Sequence, residues 1–280
     1  PGIILFTFTK TARSLANTPR SPFAFEKKMA KIPPSNAIRG VCQRGRFKLK
    51  DLGRSTCVYP KNSTPTSLLA GDSNSAHFVG FFRVLSDKYK FSFRNISQSA
   101  CPPMINFNPK FVDKKYRKHC EIYNQALLKE AEKYEILYLG ASWEQYWRIE
   151  GYPEEISKTV EFLADQVDKV VLLGKIPIAR GFNKNCEERA LRIPITKCKK
   201  FWDSKYLNIA ANRFLKKLAR KHSNVKYFSV RKALCKGTKC SYSLDGSPIY
   251  YNPTHFNFHG SEIVAEYFLK SRKKDLEVLN

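Results

Sequence analysis

Histidine, acidic side chains and long apolar runs are all scarce in this 280-residue chain, and each scarcity narrows what it does. The apolar run Gly2–Phe8 is far short of the roughly 20 residues a membrane-crossing helix needs. No complete signal peptide, internal repeat or low-complexity block is present, which excludes a solenoid or a largely disordered chain. No glycine-rich phosphate loop and no compact His/Cys cluster occurs, so a metal-free mechanism is the expectation. Pro1 is not an initiating residue, so the sequence reads as a fragment of a longer protein.

Apolar runs at Ser67–Gly71, Tyr89–Phe93, Glu135–Gly140, Lys169–Gly174 and Val225–Val230 read as strands. Between them lie longer amphipathic stretches, Asp113–Tyr134, Glu154–Val167 and Lys205–Lys221, which read as helices. This alternation predicts an α/β fold, a three-layer α/β/α sandwich around a central parallel sheet. The first sixty residues differ in character, with scattered Pro, Ser and basic residues. The expected division is residues 1–36 as a membrane-proximal segment and linker, 37–64 as an extension packed on the main domain, and 65–280 as that domain.

The sharpest chemical signal is Leu68-Leu69-Ala70-Gly71-Asp72-Ser73, read as strand, tight turn and helix start. A serine there projects its hydroxyl from the carboxyl edge of a parallel sheet, beside helix N–H groups that can meet a developing oxyanion. Ser and Asp are also common helix caps, so the motif alone says little. Ser73 needs a base, and His255, in Tyr250-Tyr251-Asn252-Pro253-Thr254-His255, is the candidate. His77 shares a helix face with Ser73, which is a poor approach for a base. His259 reads as the start of the last helix, and His119 and His222 as surface residues.

On these two motifs the chain resembles the SGNH (GDSL-like) hydrolase and transferase superfamily. More narrowly, it is similar to the SGNH domain at the carboxyl end of membrane acyltransferase-3 proteins, which O-acetylate bacterial envelope glycans. The resemblance runs from about Ser67 to Leu269 and includes Ser99-Ala100-Cys101-Pro102-Pro103, Leu137-Tyr138-Leu139-Gly140-Ala141-Ser142-Trp143, Val170-Val171-Leu172-Leu173-Gly174-Lys175-Ile176-Pro177, and Leu234-Cys235 followed by Cys240. It implies Ser73 as nucleophile and His255 as general base. It also implies an Asp three residues before that histidine, where this chain has Asn252. The readings open at that point are a Ser73–His255 dyad with Asn252 as orienting acceptor, which is favoured, a substitute acid such as Asp245, or a weakened enzyme. The superfamily's oxyanion-hole asparagine is missing from Gly140-Ala141-Ser142-Trp143; backbone N–H groups at Ser73 and around Ser99 are candidate donors. Ser99, Ser142 and Trp143 are expected to form oxyanion donors or a substrate wall, with a core tryptophan as the alternative for Trp143.

Eight cysteines form an even set, for which about 105 complete pairings exist. Their separations suggest local bridges, Cys42–Cys57, Cys101–Cys120, Cys186–Cys198 and Cys235–Cys240, and hence an oxidising compartment rather than buried cytosolic thiols. Fifty basic against 24 acidic residues give a net charge of +26, suited to polyanions. Nucleic acid is not the expected partner, because no nucleic-acid motif accompanies the charge.

The resemblance therefore implies an extracytoplasmic, periplasmic O-acyltransferase domain tethered to the inner membrane. It would pass an acetyl group through an acyl-serine to a hydroxyl of an envelope polysaccharide such as lipopolysaccharide O-antigen. The domain itself would bind no cofactor. Acetyl-CoA would be the indirect donor through an N-terminal multipass membrane domain of the same polypeptide, with Gly2–Phe8 either the end of a preceding transmembrane helix, as the resemblance implies, or a buried strand. The alternatives are a glycan O-acetyl esterase, a non-enzymatic glycan-docking module and a nucleic-acid-binding domain.

Overall fold

The computed structural model describes residues 31–193, 195–204 and 209–279, so Gly2–Phe8 and most of the expected 1–36 segment lie outside the described residues. The main sheet contains β1 (Gln43–Arg44), β2 (Val58–Tyr59), β3 (Ser67–Gly71), β4 (Phe93–Gln98), β5 (Ile136–Gly140), β6 (Lys169–Leu173) and, after a short β7 (Phe201–Asp203) outside it, β8 (Val225–Phe228). Its order is β1-β4-β3-β5-β6-β8, all parallel, with β2 antiparallel to β4.

Strand alternation divides the core. Leu68, Ala70, Leu137, Leu139, Val170 and Leu172 face one layer, with Tyr123, Leu127, Val160, Leu163 and Leu215. Leu69, Tyr138, Val171 and Leu173 face the other, with Phe81, Phe82, Val264 and Phe268. The helices follow from this division. After the short α1 (Ser73–Ala76), helix α2 (Val79–Tyr89) lies on the second face; α3 (Arg117–Ala131) covers the first. Following α4 (Trp143–Trp147), α5 (Tyr152–Ala164) joins the first face; after α6 (Lys184–Ala190) so does α7 (Ile209–Ala219). After α8 (Arg231–Leu234), helix α9 (Phe258–Ser271) packs against α2. The result is the three-layer α/β/α sandwich expected from the sequence. No helix among the described residues is long and apolar enough to cross a membrane.

One strand lies later than the sequence reading placed it. Tyr89 ends α2, Lys90 closes the helix in the left-handed region at φ 62°, and the strand is Phe93–Gln98 rather than Tyr89–Phe93. Its Asn95, Ser97 and Gln98 are buried and bonded, so they do not look like strand residues in the sequence. Asn95 Oδ1 accepts from Cys42 N at 2.7 Å, while its Nδ2 donates to the carbonyls of Gly40 and Cys57. Gln98 Oε1 accepts from Phe47 N at 2.9 Å. Buried amides cost free energy unless bonded, and here they grip residues 40–57 onto the sheet. The four disulfides are the four expected pairs, and Cys42–Cys57 closes this same segment. Within residues 31–36, Ile32 and Ser35 are buried, Ile32 N donates to Glu188 Oε1 at 2.7 Å, and Pro34 bridges to Asn257.

The switch in connectivity falls at β3. The chain leaves β3 towards β4 on one side and returns to β5 on the other, which opens a crevice at the carboxyl ends of these strands. Gly71 ends β3 at φ 133°, and a Cβ there would lie 1.9 Å from Gly140 O. Only glycine fits, and the close approach delivers Asp72 and Ser73 to the crevice.

Candidate active site

Asp72 caps α1 and is fully committed to structure. Its Oδ1 accepts from Asn74 N at 2.6 Å, and its Oδ2 accepts from Ser142 N at 2.8 Å and Tyr146 Oη at 2.9 Å. Asp72 thus locks the β3 turn to the β5 turn. Burial raises its carboxyl pKa, and the four donated hydrogen bonds oppose the shift. Its backbone carbonyl takes the N–H groups of Ser75 and Ala76, which leaves Ser73 N–H as the first-turn donor not consumed within the turn.

Ser73 Oγ lies 2.8 Å from His255 Nε2. On the other side of the ring, His255 Nδ1 is 3.0 Å from Asn252 Oδ1. The orientation of the amide follows from the local sequence. Asn252-Pro253-Thr254 forms an Asx-turn in which Thr254 N donates to Asn252 Oδ1 at 2.9 Å. A backbone N–H cannot accept, so the oxygen, not the NH2, occupies that position. The same oxygen then accepts Nδ1–H, leaving the Nε2 lone pair for the serine proton. Thr254 Oγ1 also lies 3.0 Å from Nδ1 and donates to Asn252 Oδ1 at 3.1 Å. Asn252 therefore holds the tautomer that an aspartate would hold, without its charge.

Lys175, which follows β6 and Gly174, lies beneath this pair and is buried. Its Nζ donates to Asn74 Oδ1 and, at 2.8 Å, to Thr254 O, tying the serine turn to the histidine turn. Burial lowers its pKa to about 8, with Asp72 opposing the shift. Burial, and then the Lys175 charge, lowers the His255 pKa to about 3, so the imidazole is neutral and ready to accept a proton throughout the neutral range. Lys175 was visible in the sequence as a charged residue directly after an apolar strand, but nothing there tied it to the two turns.

The open cleft over Ser73 and His255 has a volume of about 200 Å³ and is lined also by Pro34, Ser35, Gln43, His77, Tyr251 and Phe256. That is below the roughly 300–1,000 Å³ of drug-sized pockets, and it suits a small acyl group. His77 is buried beside His255, with ring centroids 5.8 Å apart and no hydrogen-bond partner at either nitrogen among the described residues. It makes no contact that would let it act as the base of Ser73.

Several expected residues are placed elsewhere. Trp143 is a core side chain whose indole donates to Leu173 O at 2.7 Å, so it is not a wall of the cleft. Ser142 N–H is spent on Asp72, and Ser99 N–H on Arg44 O at 2.7 Å, so neither is an oxyanion donor. Asp245 is not a substitute acid. With Gly246 it forms a two-residue hairpin turn, both at positive φ, and the partners of His255 Nδ1 are Asn252 and Thr254. His119 is half-buried, with Nδ1 3.1 Å from Phe47 O, and His259 lies in the first turn of α9, paired with Glu262.

Residues 41–270 match the family described as the SGNH domain fused to AT3 domains. The chain belongs to this SGNH family. Among solved structures, it is similar to the periplasmic domain of a lipopolysaccharide acetyltransferase from Salmonella ser. Paratyphi A, at 14% identity over 90% of this chain and 97% of that one, with a TM-score of 0.61. This likeness supports the SGNH fold. A catalytic mutant of an acetylxylan esterase from Geobacillus stearothermophilus is a more distant match, at 14% identity over 74% of this chain and 94% of that one, with a TM-score of 0.40. No curated protein matches the chain in sequence.

Proposed function

We propose that this SGNH domain is an extracytoplasmic O-acyltransferase that passes an acetyl group through Ser73 to a hydroxyl of an envelope polysaccharide such as lipopolysaccharide O-antigen. The observation that carries the reading is the line Asn252 Oδ1, His255, Ser73 Oγ, with contacts of 3.0 and 2.8 Å, in a family fused to AT3 domains. His255 Nε2 takes the Ser73 proton as Oγ attacks the acyl carbonyl, then returns it to the leaving group. In the second half, His255 takes the proton of the sugar hydroxyl as its oxygen attacks the acyl-serine carbonyl, and returns that proton to Ser73 Oγ as the acyl–Oγ bond breaks.

The donor side of this reading is an AT3 membrane domain in the same polypeptide, supplied by acetyl-CoA. The described domain would then need no cofactor of its own. Four disulfides support an oxidising, periplasmic setting, and the net charge of +26 favours an anionic glycan. The test is to supply an acetyl ester and de-O-acetylated lipopolysaccharide together. Acetyl ester appearing on the glycan, dependent on Ser73, is the expected result. Release of free acetate alone, with the glycan unmodified, would make the domain an esterase.

A further inference from the structure

Acyl transfer through Ser73 places negative charge on the carbonyl oxygen, and the usual side-chain donor for that charge is missing from the Gly140-Ala141-Ser142 turn. Ser142 and Ser99 have both committed their N–H groups elsewhere. Ser73 N–H is then the first-turn donor left for the oxyanion, and removal of one donor from such a site typically costs about 10²–10³ in kcat. We infer that Gln43, on strand β1 of the amino-terminal extension, supplies the missing side-chain donor; the inference rests on the acyl-serine chemistry proposed above.

Three observations place it. Gln43 lines the same cleft as Ser73 and His255. In the sheet, Gln43 pairs with Ser97, and Ser97 with Gly71, so Gln43 is level with the end of β3 and two strands away. Two strand spacings are about 10 Å, which sets Gln43 across the cleft from the turn that carries Ser73. Lastly, Gln43 Nε2 donates to Ser99 Oγ at 2.8 Å while Ser99 N–H donates to Arg44 O. The backbone bond holds the Ser99 turn beside β1, the side-chain bond holds one edge of the Gln43 amide, and Nε2 carries a second hydrogen. Ala100, next to Ser99, is held at φ 50°, a costly conformation for a residue with a Cβ.

In the step itself, the Ser73 Oγ–carbon bond forms, the serine proton moves to His255 Nε2, and the carbonyl π pair becomes an alkoxide. Gln43 Nε2–H and Ser73 N–H donate to it. Collapse breaks the carbon–leaving-group bond, and His255 returns its proton to the departing oxygen. Gln43 never exchanges a proton; it is selective for the tetrahedral state.

The test is single-turnover acylation by 4-nitrophenyl acetate and by its thionoester, in which sulfur replaces the carbonyl oxygen and accepts hydrogen bonds poorly. Q43A and Q43E, shown by melting to be folded, are expected to acylate about 10²–10³-fold more slowly with the oxoester, with KM within about threefold of wild type. Their loss with the thionoester should be at least tenfold smaller. Equal losses with both esters would make Gln43 a merely structural residue and overturn the inference, as would rates within threefold of wild type. A wild-type chain that never acylates would instead overturn the serine chemistry and this inference with it.

Discussion

Replacing Asn252 by aspartate should make the enzyme faster. In a serine protease whose triad aspartate is changed to asparagine, turnover falls about 10⁴-fold because the amide selects the wrong histidine tautomer. Here that loss does not apply, because Thr254 N–H already fixes the amide oxygen towards His255 Nδ1. What the asparagine lacks is charge. A carboxylate about 4 Å from the imidazolium is worth roughly 4 kcal/mol at an effective dielectric constant near 20. The half-buried setting and the cost of desolvating the new carboxylate reduce this, to about 1.5–3 kcal/mol or roughly 1–2 pKa units. N252D should therefore raise acylation of Ser73 by about 10–100-fold, since each 1.36 kcal/mol is tenfold in rate. The pH profile gives the independent check. With the His255 pKa near 3, wild-type acylation is flat from about pH 5 to 7, with no inflection at the ordinary histidine value. In N252D the acid limb moves up by the same 1–2 units. Stopped-flow acylation by 4-nitrophenyl acetate from pH 4 to 8 measures both. A slower N252D, or a wild-type limb near 6.5, would refute the reasoning.

Three further outcomes follow from the same structure. Because folding depresses the His255 pKa, the unfolded chain binds a proton between about pH 6.5 and 3 that the folded chain does not, so stability falls as pH drops through that window; H255F should flatten the fall in urea midpoint between pH 6.5 and 4.5, and an unchanged slope would count against the buried neutral imidazole. A100G relieves the left-handed strain at φ 50° and should raise the unfolding free energy by about 0.5–1 kcal/mol, where an ordinary alanine would lose a similar amount. Paired serines at Cys42 and Cys57 should cost about 3 kcal/mol for their 15-residue separation and slow acylation by loosening Gln43; unaltered acylation would separate the extension from the site.

How far the sequence reaches can be followed residue by residue. The turn at Gly71-Asp72-Ser73 was legible because glycine, an acidic cap and a serine follow an apolar run, but only the pairing with the Tyr250–His255 motif, and the resemblance it carries, singled out Ser73. His255 was singled out by the Asn252-Pro253-Thr254-His255 motif and the resemblance it carries. The strand at Phe93–Gln98 was not, since its polar side chains are buried for bonds to a segment some fifty residues away. The same long-range pairing hid Gln43, which acquires its place only when β1 joins β4. Trp143 looked like a substrate wall because the resemblance sets the Gly140–Trp143 segment beside the site, but one carbonyl, that of Leu173, satisfies its indole within the core. The orientation of Asn252 was contained in Asn-Pro-Thr, a sequence that favours an Asx-turn. It becomes a statement about catalysis only with the histidine ring in place.

The central claim is that Ser73 becomes acylated with His255 as its base. The most direct measurement is intact mass after incubation of the wild-type chain, S73A and H255A with an activated acetyl ester. The expected result is an added acetyl mass on wild type, mapped to the peptide containing Ser73, and none above background on either folded variant. An adduct that persists in S73A, or a folded wild-type chain that gains no mass, would contradict it.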